Sequence, residues 1–120
     1  MRNHLAKALL IVLLAMPIGI ALGQSVGEPD IRLNVSAKQF EFKPGKIRVQ
    51  QGDVIEVTLT STDDIPHGFG IRAFNVNERV NKGEVKVFRF TASKAGTYPI
   101  VCTVFCGLGH GSMRGELIVE

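Results

Sequence analysis

Ile31-Arg32-Leu33-Asn34-Val35, followed further on by Val54-Ile55-Glu56-Val57-Thr58-Leu59-Thr60, is the part of the sequence that decides the fold. The first run alternates apolar and polar residues, the two-residue period of a strand with one buried face. The second is rich in β-branched residues, which suit a pleated sheet. Working outward, Phe40 and Phe42 repeat the alternation, and Lys43-Pro44-Gly45 turns the chain because proline presets one dihedral and glycine tolerates positive φ. Ile47 and Val49 resume it, and Gly52-Asp53 turns again. An acidic bend (Asp63, Asp64, Pro66) leads to a strand expected over His67 to Phe74. Asn81-Lys82-Gly83 and Lys94-Ala95-Gly96 bracket Val85-Val87-Phe88-Phe90, Thr97 to Val101 is the next strand, and Gly115 to Glu120 the last. No window carries a sustained helical period. Short strands separated by Gly and Pro turns indicate a sandwich or barrel. Phe40, Phe42, Phe88 and Phe90 are expected in its core, and Asp63 and Asp64 in a solvated bend.

The chain of 120 residues has room for one domain, and its first stretch stands apart. Arg2 and Lys7 precede an apolar run from Ala8 to Leu22, and Ala21-Leu22-Gly23 offers small residues to a signal peptidase. Residues 1–23 therefore read as a signal peptide or a short membrane anchor, with membrane association possible through residues 5–22. Residues 24–29 read as a leader and 30–120 as the domain. Either way the domain is exported, to the periplasm or the outer face of the cytoplasmic membrane. The formal charge of +3 follows the same division: without Arg2 and Lys7, 12 basic residues face 11 acidic ones. That near-neutral domain, with no basic run or interleaved aromatics, excludes a nucleic-acid partner.

The informative fact is where the metal-binding residue types sit. Outside the leading segment the chain has Cys102, Cys106, His110 and Met113 within twelve residues, plus His67 upstream. Two cysteines in an exported domain ordinarily suggest a disulfide closing a small loop. Two thiolates, two imidazoles and a thioether together suit a soft metal, copper above others. Gly107, Gly109 and Gly111 flank His110 and allow the backbone to fold tightly around an ion. The segment joins two expected strands, so it is a loop on a rigid scaffold.

The string Cys102-Thr-Val-Phe-Cys-Gly-Leu-Gly-His-Gly-Ser-Met113 resembles the dinuclear copper loop, CuA, of cytochrome c oxidase subunit II, a centre also found in nitrous oxide reductase. Ile65-Pro66-His67-Gly68-Phe69-Gly70-Ile71, followed by Phe74-Asn75-Val76, resembles the strand that carries that family's first histidine. The similarity spans roughly residues 38 to 120. It implies an all-β, cupredoxin-like Greek-key sandwich holding two copper ions. It further implies that Cys102 and Cys106 bridge both ions, His67 and His110 each complete one, and Met113 and the carbonyl of Val104 are weak ligands. Many family members carry glutamate where Val104 stands, and only the carbonyl is needed there. The family's subunits carry a full membrane helix or two where the apolar run here is short, and the tryptophan-rich segment of many of them is missing, for the chain contains no tryptophan.

The resemblance implies an electron carrier whose partners are redox proteins, such as a c-type cytochrome or a terminal oxidase. Oxidase activity would belong to a complex, since the domain offers no open metal position and no base beside a nucleophile. Other readings stay open at this stage. A single-copper site of the blue type would use His67, Cys106, His110 and Met113 and leave Cys102 idle. A copper carrier would load another protein's site. A tetrahedral zinc site would leave Met113 without a role.

Overall fold

A computed structural model of the chain describes residues 11–16, 19 and 27–120. The segment read as a signal or anchor, residues 1–23, lies largely outside the described residues. Among the described residues no helix is long and apolar enough to cross a membrane.

Nine strands form among the described residues: β1 (Ile31–Lys38), β2 (Glu41–Lys43), β3 (Lys46–Val49), β4 (Val54–Ser61), β5 (His67–Ile71), β6 (Val76–Val80), β7 (Val85–Thr91), β8 (Gly96–Val101) and β9 (Arg114–Val119). They make two sheets, ordered β2-β1-β4-β7 and β3-β9-β8-β5-β6. β1 pairs with β4 in parallel, with Leu33 opposite Val57 and Val35 opposite Leu59. The pairing of β3 with β9 is also parallel, and the other ladders are antiparallel. The period-two pattern now has its cause. Val35, Ala37, Ile55, Val57 and Leu59 point between the sheets, while Arg32, Asn34, Glu56 and Thr58 line the outer face. Facing them from the second sheet are Phe69, Ile71, Ile100, Leu117 and Val119. Fully burying an aliphatic or aromatic side chain of this kind contributes roughly 1.5–3 kcal/mol. Aromatic rings bind the two layers: Phe69 of the second sheet meets Phe42 edge-on at 5.5 Å and Phe88 at 5.7 Å, both from the first.

Three expectations need correction. The strand from His67 stops at Ile71, because Arg72–Phe74 winds into a single 3-10 turn that Asn75 closes in the left-handed region (φ 55°). β6 follows it as an edge strand that the sequence reading passed over. Phe42 and Phe90 are core and Phe88 packs against it, but Phe40 is 37% exposed. It sits in the turn after β1, where the alternation breaks.

Strand direction decides where the site lies. β4 ends at Ser61 and β5 begins at His67, while β8 ends at Val101 and β9 begins at Arg114. β1 runs parallel to β4 and ends at Lys38, beside Ser61. The bend at 62–66, the loop 102–113 and the turn at Gln39-Phe40 therefore meet at one end of the sandwich.

Candidate metal centre

His67 opens β5 and points inward with Phe69 and Ile71, so the strand's alternation carries its imidazole to the end of the core, where it has no exposed surface. Gly68 and Gly70 point the other way, and their lack of a side chain is used. A Cβ on Gly68 would lie 2.1 Å from Thr103 Oγ1 and 2.8 Å from the backbone nitrogens of Thr103 and Val104. One on Gly70 would lie 2.4 Å from the Thr103 methyl. The glycines thus let the chain just after Cys102 lie down on β5. Thr103 fixes it there by donating to Asn77 Oδ1 at 2.8 Å.

The loop itself is closed by backbone bonds. Cys102 N–H donates to Met113 O (3.3 Å), His110 N–H to Gly107 O (3.0 Å) and Met113 N–H to His110 O (3.2 Å). Gly107 adopts φ +124°, a left-handed conformation that side chains disfavour. At Gly109 a Cβ would come within 2.5 Å of the Phe40 ring, so the exposed phenylalanine serves as a lid on the loop. Gly111 faces open space and makes no such approach.

This folding brings together all the residues singled out from the sequence. The Sγ atoms of Cys102 and Cys106 are 3.5 Å apart. Cys106 Sγ lies 3.6 Å from His110 Nδ1 and 3.8 Å from Met113 Sδ, and Cys102 Sγ lies 3.1 Å from the Val104 carbonyl oxygen. A nitrogen of His67 and both sulfurs fall within 4.8 Å of one another. Both cysteines are free and buried, their sulfurs facing each other without a bond. His110 is half-buried, under Phe105 at a ring separation of 5.8 Å.

Asp63 is the residue the sequence reading assigned wrongly. It is no solvated bend: its Oδ1 accepts from His67 Nε2 (2.8 Å) and Ile65 N–H (3.1 Å), and its Oδ2 from Gln39 N–H (2.7 Å). Asp64 does lie at the surface, paired with Lys82. Burial alone would push the Asp63 carboxyl up, but the Gln39 N–H, the His67 ring and the Ile65 N–H together hold it below the usual carboxylate range. An ionised carboxylate only accepts, so Nε2 carries an imidazole hydrogen, and in the neutral ring Nδ1 presents a lone pair. Among the described residues, that Nδ1 is the buried side-chain polar atom without a partner. An unpaired buried acceptor is destabilising by about 1–3 kcal/mol, and a cation beside it would remove that penalty. Two buried thiols, a thioether and this lone pair are the donor set of a soft metal, so the residues present fit copper. The signal that could have found Asp63 is a carboxylate four residues before a ligand-type histidine, the usual partner of its second ring nitrogen.

Burial, together with Cys102 alongside, pushes the Cys106 thiol up from 9.0 to about 11. The folded metal-free chain therefore holds this proton more tightly than the unfolded chain does. The associated stability is complete below pH 9.0 and is lost as pH rises toward about 11. Thermal unfolding of the metal-free chain across that window should show a falling midpoint, and Cys106→Ser, which has nothing to titrate there, should flatten the fall. An equal fall in both proteins would assign it to other groups.

The sequence profile of the cupredoxin-like domain family matches residues 8–119. Cytochrome c oxidase subunit 2 of Thermus thermophilus is 42% identical over 86 residues, which make up 72% of this chain and 63% of that protein. The chain thus spans just under two thirds of that curated relative's length. Among solved structures, a chain of a heme-copper terminal oxidase dimer is similar, with TM-score 0.69 and 34% identity, over 76% of this chain and 65% of that one. The periplasmic domain of subunit II of cytochrome oxidase from Bradyrhizobium japonicum superposes with TM-score 0.70, over 80% of this chain and 88% of that domain. At 22% identity this last likeness is one of fold. With its profile match running through the whole sandwich and with that sandwich shared by these domains, the chain belongs to the cupredoxin-like family.

Proposed function

We propose that the chain is an exported copper electron carrier with a dinuclear, CuA-type centre. The observation that carries this reading is the pair of buried free thiols 3.5 Å apart, flanked by imidazole nitrogens of His67 and His110. Cys102 and Cys106 would hold both ions as shared thiolates. His67 Nδ1 and His110 Nδ1 would each complete one of them. Met113 Sδ and the carbonyl of Val104 would be the weak outer ligands, one to each ion. Copper bound there would accept one electron and pass it on.

The chain's own residues supply what such a carrier needs. Carriers work fastest when the ligands barely move between oxidation states, and here contacts from outside the ligands hold both the histidine strand and the cysteine loop. Asp63 sets the His67 tautomer, the glycine-lined face of β5 seats the cysteine loop, and Met113 is locked at the head of β9 with no exposed surface. Cys102 is buried like Cys106 and faces it, which favours a shared role over the blue-type reading in which it would be idle. The buried thioether likewise favours copper over zinc.

His110 is the most exposed of the side-chain ligands; Phe105 (70% exposed) packs against its ring, and Leu108 (102% exposed) precedes it by two residues. Such a collar suits close, transient contact with a redox partner, such as a c-type cytochrome or the acceptor subunit of a terminal oxidase. The subunit II relatives support that setting and a periplasmic location.

Copper reconstitution of the full chain tests the reading. Two coppers per chain, with electron spin resonance hyperfine structure from two equivalent nuclei, is the expected result; one copper with a single-nucleus pattern would contradict it. For the docking collar, Leu108→Glu should leave copper content unchanged and slow electron exchange with a cytochrome by about tenfold, the equivalent of about 1.4 kcal/mol. Unchanged exchange would move the entry point elsewhere.

A further inference from the structure

We propose that Gln39 is a positioning residue that ties the histidine side of the centre to the cysteine side. Its two polar groups point to different parts of the site. The backbone N–H donates to Asp63 Oδ2 at 2.7 Å, and Asp63 Oδ1 holds His67 Nε2 at 2.8 Å. The side-chain Nε2 donates to the Cys106 carbonyl at 2.8 Å. A continuous hydrogen-bonded path therefore runs from the His67 ring through Asp63 and Gln39 to the backbone of Cys106, its last bond joining residues 67 positions apart in sequence.

The path also crosses between the layers of the sandwich. His67 belongs to β5, and Cys106 lies in the loop between β8 and β9, both in the second sheet. Gln39 follows β1 of the first sheet. It comes with Phe40, whose ring covers Gly109, and it fits closely against Gly107, where a Cβ would lie 2.8 Å from the Gln39 amide nitrogen. Gln39 is exposed in this turn, yet its amide reaches the Cys106 carbonyl and packs against Gly107.

The inference rests on the copper reading above, and its consequence lies in the centre's rigidity. Groups that hold first-layer ligands commonly change metal affinity by roughly 10–100-fold when removed. Gln39→Met keeps the length of the side chain and removes the donor. In the copper-loaded full chain, this variant should lose copper to a chelator about tenfold faster, at the low end of that range. It should also shift the reduction potential and the electron spin resonance pattern, while the unfolding midpoint of the metal-free chain falls by about 5 °C or less, as for the loss of one part-buried hydrogen bond. Combining Gln39→Met with Asp63→Asn should give less than the product of the two single effects, because both interrupt one path. Full multiplicativity would refute the bridge. So would a chelation rate, potential and spectrum that all match the parent, or a lowered unfolding midpoint with no change at the copper, which would assign Gln39 to fold stability alone. Failure of the parent chain to bind two coppers would remove the copper reading itself; a parent that binds two beside an indifferent Gln39→Met removes only the bridge.

Discussion

The close approach of the Cys102–Val104 backbone to β5 is the constraint on which this end of the molecule depends. It exists only because positions 68 and 70 lack a Cβ. A methyl group at either would push the segment after Cys102 off the strand, and with it the Val104 carbonyl that Cys102 Sγ now faces at 3.1 Å. The same strand turns His67, Phe69 and Ile71 inward. One five-residue element thus presents a histidine to the interior and a bare surface to the loop, and alternation accounts for both.

Packing hydrophobic sheets into a sandwich leaves the ends of the core as the place where polar groups can be buried in quantity. Such groups destabilise a fold unless paired. Here nearly all are paired: Asp63 takes hydrogen bonds from three directions, the loop closes on its own backbone, and Gln39 satisfies the Cys106 carbonyl. Among the described residues the exception among buried side-chain atoms is His67 Nδ1, on a ring of which one nitrogen lies within 4.8 Å of both cysteine sulfurs. Side chains held in this way by partners outside the centre limit, for an electron carrier, what must move on each change of charge.

Much of this was legible in the sequence, for identifiable reasons. The strands with a clean period of two, such as 31–35 and 54–60, announced themselves because one face is buried and the other wet. The loop was legible because soft ligand types are scarce and were concentrated. β6 was not, since Asn77-Glu78-Arg79 between two valines is the polar pattern of an edge strand. Phe40 misled because two phenylalanines two apart imply a shared face, whereas a turn separates them and sends one to the core and the other over the loop. Asp63 and Gln39 are long-range partners whose roles depend on which strand ends meet. The parallel pairing of β1 with β4 that brings them together leaves no local trace in the sequence.

The central claim is that one sulfur pair serves two metal ions, and anomalous diffraction at the copper edge from copper-loaded crystals tests it most directly. The account predicts two peaks seated between Cys102 Sγ and Cys106 Sγ, one beside His67 Nδ1 and the other beside His110 Nδ1. A single peak bound to Cys106 alone, or a Cys102–Cys106 disulfide with the copper elsewhere, would contradict it.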